Sequence, residues 1–404
     1  MTSRIPRGGL SLYVHVPFCA SKCSYCDFYS LPMGPGGSAG RPDDTSIDGY
    51  LSGLRTLSLA RPLLDDVPTL YVGGGTPSVL GERLADVFRC LRVAGVVLRP
   101  GAEVTVEATP ESVPPRILAL LAEEGVTRVS LGIQSFDDEV LEILGRCHDA
   151  ERARSAARAV TEAGFRLSID LMCGIPGQSA GSWTDTLREA GATGAGHLSV
   201  YPLAVEPSTP MAAMVERGEL PEPDPDMAAS MMLEAEVLLG DLGAARYEVA
   251  NYARPGEESL HNLRYWTGGA YLGVGPAAAS MLPGGRYALL AAAVNAPTCG
   301  DAARVRFTAP HRAAGTGGFF EAGIAAVPDE LECMTAAEAA REDAMLGMRL
   351  VSGITDDLAV RAEAVPSLKT LVRDGLVEHA GGSWRTTRRG WLLGNEVFGR
   401  IWNG

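Results

Sequence analysis

Apolar and polar positions fall into a repeating rhythm over the first half of the chain. Short apolar runs at residues 10–16, 69–73, 103–108, 128–133, 166–172 and 197–203 predict β-strands. Between them, 83–94, 115–124, 139–144, 151–163 and 182–190 have the length and spacing of amphipathic helices. A further helix is expected over 48–60. Strands alternating with helices imply βαβ units and a parallel sheet, and six strands predict an open or partial barrel rather than an eight-stranded closure. The Gly-, Pro- and Asp-rich stretch 31–46 predicts a surface loop. Beyond the barrel, 227–242 predicts an apolar helix whose methionines serve as core filler. Residues 282–330, rich in Gly, Ala and Pro, predict an irregular connection. Residues 335–404 return to helical patterning with a short strand pair near 376–378 and 384–386, a helical bundle with a small β-wing. The expected division is a core at 1–245, a connecting region at 246–330 and a C-terminal domain at 331–404.

Composition narrows the function classes. A chain of 404 residues with 46% hydrophobic content is long enough for one large domain and a smaller one. A net charge of −14 argues against a nucleic-acid partner, which would need a basic face. No apolar run approaches a membrane span, and MTSRIPRGGL carries basic residues without the apolar region of a signal peptide. Cys90, Cys147, Cys173, Cys299 and Cys333 are scattered without framework spacing, which predicts a reducing cytoplasm and mostly buried, inert thiols.

The remaining cysteines are different. Cys19-Ala-Ser-Lys-Cys23-Ser-Tyr-Cys26 places three thiols on one loop just after the first strand. Soft thiolates favour iron–sulfur clusters, zinc or copper, and three on one loop suit three corners of a cubane. Structural zinc needs a fourth ligand, and the chain has no second CxxC or HxxxH pair; His15 is the nearby imidazole.

Ligands of parallel α/β folds bind at the carboxyl ends of strands. Here those ends carry the cysteine loop, Gly73-Gly74-Gly75-Thr76-Pro77, Glu107, Gln134-Ser135, Asp170 through Gly177, and Tyr201-Pro202. Glycine backbone at such a place would offer N–H groups to a carboxylate, Glu107 would pair with an ammonium, and Gln134 and Asp170 would bind ammonium or ribose hydroxyls.

The CxxxCxxC spacing resembles the cluster loop of the radical S-adenosylmethionine (SAM) superfamily. Together with Tyr13-Val-His15-Val-Pro17-Phe18, the glycine triplet, Gln134-Ser-Phe136, Asp170 to Gln178 and His261-Asn262-Leu-Arg-Tyr265-Trp266, the chain resembles the HemN/HemW family along most of its length. That resemblance implies a partial (β/α)6 radical SAM barrel followed by a mostly helical, winged-helix-like C-terminal domain of HemN type. It implies that Cys19, Cys23 and Cys26 hold a [4Fe-4S] cluster. Tyr13, Gly74 and Glu107 match contacts to cluster-bound SAM; Tyr25, Gly75, Thr76, Gln134, Arg146 and Asp170 match contacts to one SAM or to a second. His261 matches the histidine of a motif associated with heme.

Three functions follow from the family. The leading one is a HemW-like carrier that binds heme and delivers it to apoproteins, with Phe28 in place of the fourth cysteine of the dehydrogenases. The others are a radical SAM methyltransferase or cyclopropanase acting on a small molecule, and an oxygen-independent coproporphyrinogen III oxidase. Each needs an external electron donor. Cys173 stands where the family commonly has tyrosine.

Overall fold

The computed structural model describes residues 8–33, 44–311 and 318–404. The stretch before Gly8, most of the loop expected over 31–46, and part of the connection expected over 282–330 lie outside the described residues. β1 (Ser11–Val16) leads into two short strands, β2 (Phe18–Cys19) and β3 (Leu31–Pro32), which pair with each other across the cysteine loop. A helix begins at Asp44, four residues before the expected start, and gives way to a 3-10 segment at Thr56–Leu63 that contains Pro62. Then come β4 (Val67–Gly74), β5 (Leu98–Ala108), β6 (Arg128–Gln134), β7 (Arg166–Cys173) and β8 (His197–Pro202), each parallel to the one before it in the sheet that starts with β1.

The sheet is larger than six strands. β9 (Ala245–Arg246) and β10 (Asn251–Ala253) close its β8 side in antiparallel sense. On the other side β11 (Tyr271–Val274), drawn from the glycine-rich stretch after Trp266, adds a parallel strand to β1. β12 (Ala279–Pro283), β13 (Arg304–Thr308) and β14 (Glu330–Met334) extend it as an antiparallel meander, giving the order β14-β13-β12-β11-β1-β4-β5-β6-β7-β8-β10-β9. The expectation of an irregular connection over 282–330 is therefore corrected. That stretch also holds the helix Gly284–Val294, and its short strands are fixed by pairing with one another rather than by a period of their own.

Within the parallel strands, alternate residues differ in kind. Leu12, Val14, Val72, Val106, Leu131, Ile169 and Val200 are buried against the surrounding helices. Their neighbours in sequence, Tyr71, Glu107, Ser130, Ser168, Asp170 and Ser199, face the other way and wall the barrel's interior. The helices close the apolar side, and the polar side is left to hold a ligand.

Three antiparallel strands, β15 (Ile354–Thr355), β16 (Val377–Ala380) and β17 (Ser383–Thr386), form the wing of the C-terminal region in the order β15-β17-β16. Its helices enclose a separate core containing Leu368, Leu371, Trp384, Val397 and Ile401. Trp391 ties the region to the barrel: its Nε1 donates to the Val249 carbonyl at 2.8 Å, and the Arg246 guanidinium sits 3.9 Å over its ring.

The cysteines outside the loop divide differently from the expectation. Cys90 and Cys173 are buried, Cys147 is exposed, and Cys299 and Cys333 form a disulfide that joins the end of the β12–β13 connection to β14. Among the described residues no helix is long and apolar enough to cross a membrane.

Candidate functional site at the barrel mouth

The cysteine loop is clamped from several directions. Ser24 donates from its amide to the Leu144 carbonyl at 3.2 Å and from Oγ to the Ile143 carbonyl at 3.0 Å. Its own carbonyl accepts the Met211 amide at 2.8 Å. Two loop sulfurs have polar neighbours: Thr76 Oγ1 donates to Cys19 Sγ at 3.7 Å, and Arg146 Nη1 donates to Cys23 Sγ at 3.2 Å. The other end of the Arg146 fork donates to the Gly132 carbonyl at 2.6 Å, so one guanidinium bridges loop and strand. Burial pushes the Cys19 and Cys26 thiols up, so bringing them to the thiolate form needs a counter-charge of the kind that bound iron supplies. Among the described residues no three His, Cys, Asp or Glu side chains converge on a single ion. A cubane asks for a different layout, because each cysteine binds a different iron.

The glycine triplet serves this loop. A Cβ on Gly74, whose φ is +106°, would lie 2.4 Å from His15 Nδ1, and one on Gly75 would lie 2.5 Å from the Phe18 carbonyl oxygen. The amides expected to meet a ligand carboxylate are engaged inside the protein: Gly74 donates to Glu107 Oε2 at 2.9 Å, Gly75 to the Val16 carbonyl at 2.9 Å, and Thr76 to the Phe18 carbonyl at 2.7 Å. Close packing of loop on strand end is what demands glycine here.

Behind the loop lie two adjoining chambers, of about 160 Å³ against the cysteines and about 390 Å³ running down the barrel. Tyr25, Cys26, Glu107, Gln134 and Asp170 line both. Cys19, Cys23, Gly74, Gly75, Thr76 and Arg146 line the smaller one. Glu107 accepts from Tyr71 Oη at 2.8 Å as well as from Gly74, yet burial holds its carboxyl up at about 7. Burial likewise raises Asp170 to about 6. The guanidinium groups on the walls are engaged elsewhere, Arg146 with Cys23 and Gly132 and Arg128 with Glu103 and Ser168, so among the described residues neither carboxylate forms an ion pair. An ammonium- and sulfonium-bearing ligand fits that need. Gln134 sits on a β-bulge where β6 pairs with β7, at φ +69°, a strained placement that turns a strand-end side chain into the cavity.

Two predicted residues lie elsewhere. Tyr13 is absent from both chamber walls and donates its hydroxyl to His15 Nδ1 at 3.0 Å; the other ring nitrogen of His15 donates to the Tyr29 carbonyl at 2.8 Å. Tyr13 thus acts on the loop through His15. His261 is 1% exposed and has both ring nitrogens engaged, Nδ1 with Thr69 Oγ1 at 2.8 Å and Nε2 with Tyr265 Oη at 2.9 Å. Burial lowers it to about 3. Its neighbour Asn262 lines the large chamber instead. Cys173 is buried in the main core, its thiol pushed up to about 12 by burial, and is not on the chamber walls.

The sequence reading missed Tyr71, Ser130, Ser168, Ser199 and Asn262 on the walls of the large chamber. Strict alternation with Val, Leu and Ile would have found those on strands. It also missed that Cys147 reaches the smaller chamber, its Sγ 3.1 Å from Ser21 Oγ; no local signal carries that.

Comparison with known proteins follows the same outline. Residues 13–190 match the Radical SAM superfamily and residues 334–393 the HemN C-terminal domain. The chain is 44% identical over 280 residues to the heme chaperone HemW of Mycobacterium tuberculosis, covering 68% of this chain and 70% of that protein. It is 31% identical over 408 residues to the heme chaperone HemW of Bacillus subtilis, covering 96% and 98%. The solved coproporphyrinogen III oxidase HemN of Escherichia coli superposes with a TM-score of 0.77 over 97% of this chain and 90% of that one; at 23% identity this is a likeness of fold.

Proposed function

Because the chain belongs to the HemN/HemW family of radical SAM proteins, we propose that it is a HemW-like carrier that binds heme and hands it to apoproteins. The observation that carries this reading is the likeness to a heme chaperone over nearly the full length of both chains.

The family's cofactors are a [4Fe-4S] cluster and SAM, and the chemistry they supply when bound is one-electron cleavage of the sulfonium C–S bond. Cys19, Cys23 and Cys26 would hold three irons. Thr76 and Arg146 steady two of the sulfurs, and Tyr13 steadies the loop through His15. Glu107 and Asp170 would receive the ligand's cationic groups, while Gln134, Tyr25 and the Gly74-Gly75 backbone shape the chamber around it. The walls keep bulk water from the reacting bond. An external reductant would supply the electron. We place the protein in the cytoplasm, where an open cluster survives, and take 1–245, 246–330 and 331–404 as its working divisions.

One observation favours a second reading. The 390 Å³ chamber extends beyond the cysteines between polar walls, which suits turnover of a small molecule by a methyltransferase or cyclopropanase and leaves room for a second SAM. Anaerobic reconstitution with SAM, dithionite and heme tests both. Heme uptake without sustained 5′-deoxyadenosine release supports the carrier; rapid release with no heme uptake rejects it.

A further inference from the structure

The larger chamber runs down the barrel away from the cysteines, and its far end takes no part in the chemistry described above. At that level β6 and β8 begin, with Arg128 and His197 as their first residues. Thr105 of β5 pairs with Arg128 in the sheet register and Ser168 of β7 with His197, and both also line the chamber. The segment 257–262 closes this floor. The carbonyls of Glu257 and Glu258 accept Arg128 Nη2 at 3.0 and 3.4 Å, and Ser259 and Asn262 complete the lining.

Buried polar atoms without a partner are rare in folded proteins, and this floor holds three. Thr105, Arg128 and His197 are each at most 3% exposed, and among the described residues Thr105 Oγ1, Arg128 Nε and His197 Nδ1 form no hydrogen bond. All three can donate. A guanidinium Nε can do nothing else. The tautomer of His197 follows from its neighbour: Tyr247 Oη accepts the Ser259 amide at 3.3 Å and lies 2.9 Å from His197 Nε2, so the one hydroxyl proton goes to that nitrogen and the ring proton sits on Nδ1. Burial, and then the charges of Arg128 and Arg166, hold this ring neutral. Ser168 Oγ accepts Arg128 Nη1 at 2.9 Å and keeps its own proton to donate.

What such a set lacks is a group with lone pairs, and the charge balance decides which kind. The Arg128 guanidinium is already paired with Glu103 at 3.1 Å, both side chains 1% exposed. Higher on the same walls stand the carboxyls of Glu107 and Asp170. A carboxylate at the floor would therefore be a buried anion with no cation to spare for it. A carbonyl oxygen meets the same donors without that cost. Between floor and mouth, Tyr71, Met172 and Tyr201 give the chamber apolar surface for the body of a ligand.

We propose that the closed end of the larger chamber is a binding site for an uncharged carbonyl group of a small organic molecule, held by Arg128, His197 and Thr105 and separate from the SAM site against the cysteines. Such a site does not depend on whether the chain carries heme.

Two probes of one shape test this, benzamide with a neutral carbonyl and benzoate with a charged one. Each is titrated into the full-length, cluster-reconstituted protein under anaerobic conditions without reductant and followed by ligand-observed NMR. Nitrogen-15 labelling of the histidines reads the His197 ring, its signals assigned as those lost in His197→Gln. Benzamide is expected to bind roughly tenfold more tightly than benzoate and to shift the His197 Nδ1 signal. Thr105→Val, which puts a methyl where an unpartnered hydroxyl stands, should weaken benzamide by about threefold to tenfold without lowering the thermal midpoint, and Thr105→Ser should restore it. The His197 shift in the wild type decides the matter even where a variant fails to fold. Benzoate binding as tightly as benzamide, with the same His197 shift, would make the floor an anion site and overturn the assignment. Benzamide binding that leaves His197 Nδ1 unmoved overturns it as well. So does the absence of binding by either probe in protein that still binds SAM, the floor then holding ordered water only.

Discussion

The Gly74 amide donates to the Glu107 carboxylate at 2.9 Å, and that carboxylate still titrates near 7 because it is buried beside Asp170. Ionisation of Glu107 is therefore coupled to arrival of a cation. Binding of SAM's ammonium should favour the ionised form. SAM affinity is expected to fall by roughly tenfold per pH unit below about 7 and to level off above it. Anaerobic calorimetry between pH 5.5 and 7.5 checks this, and Glu107→Gln should bind weakly with no such slope. The stability of the ligand-free chain has the opposite sense. The unfolded side chain titrates near 4.5, so the folded state binds more protons between about 4.5 and 7, and this group's contribution to stability falls as pH rises through that window.

Gly74→Ala should damage the cluster loop rather than the barrel. Its Cβ would meet the His15 ring at 2.4 Å on a backbone that side chains rarely adopt, with a cost of about 1–3 kcal/mol. The expected outcome is reduced iron and sulfide content after reconstitution and a lower thermal midpoint. Full iron content at an unchanged midpoint would refute the packing role.

His261→Ala should be a stability mutation. It strands Tyr265 Oη and leaves Thr69 Oγ1 with only its bond to Ser11 Oγ, at about 1–3 kcal/mol for a buried partner left unsatisfied, with the lost packing added. Urea unfolding should show a lower midpoint. If heme binding disappeared in a variant with unchanged stability, the buried histidine would have to reach heme after all.

The Cys299–Cys333 bridge closes a loop across a separation of 34 residues. Cys333→Ser should lower stability by about 3–4 kcal/mol in oxidising buffer, and by much less when both proteins are measured with reductant. Mass spectrometry after alkylation, done on protein taken directly from cells, shows whether the bond exists in the compartment where the cluster must also survive.

The sequence made the first half of the fold legible because each parallel strand there is apolar enough to be seen and ends in a residue that a ligand would want. That rule singles out Cys19, Glu107, Gln134 and Asp170, and the fold brings them to the walls of two adjoining chambers. β11 to β14 were not legible, since Gly, Ala and Pro give no period and their strands exist by mutual pairing. The orientation of His261 was not legible for a related reason. Nothing in His-Asn-Leu-Arg-Tyr-Trp tells which of the first two residues faces the chamber; that is decided by Thr69 on a strand 192 residues earlier.

The alternation of Ser, Thr and acidic residues with Val, Leu and Ile along the parallel strands has a consequence for how such a protein changes. The cohesion of the barrel lies on the outward side of its sheet, against the helices. Ser130 and Ser199, which belong to no apolar core cluster, contribute little to it. Exchanging them alters what the lumen recognises while the scaffold keeps its packing. Specificity is thereby separable from foldability, and new ligands are accessible to this architecture by small steps.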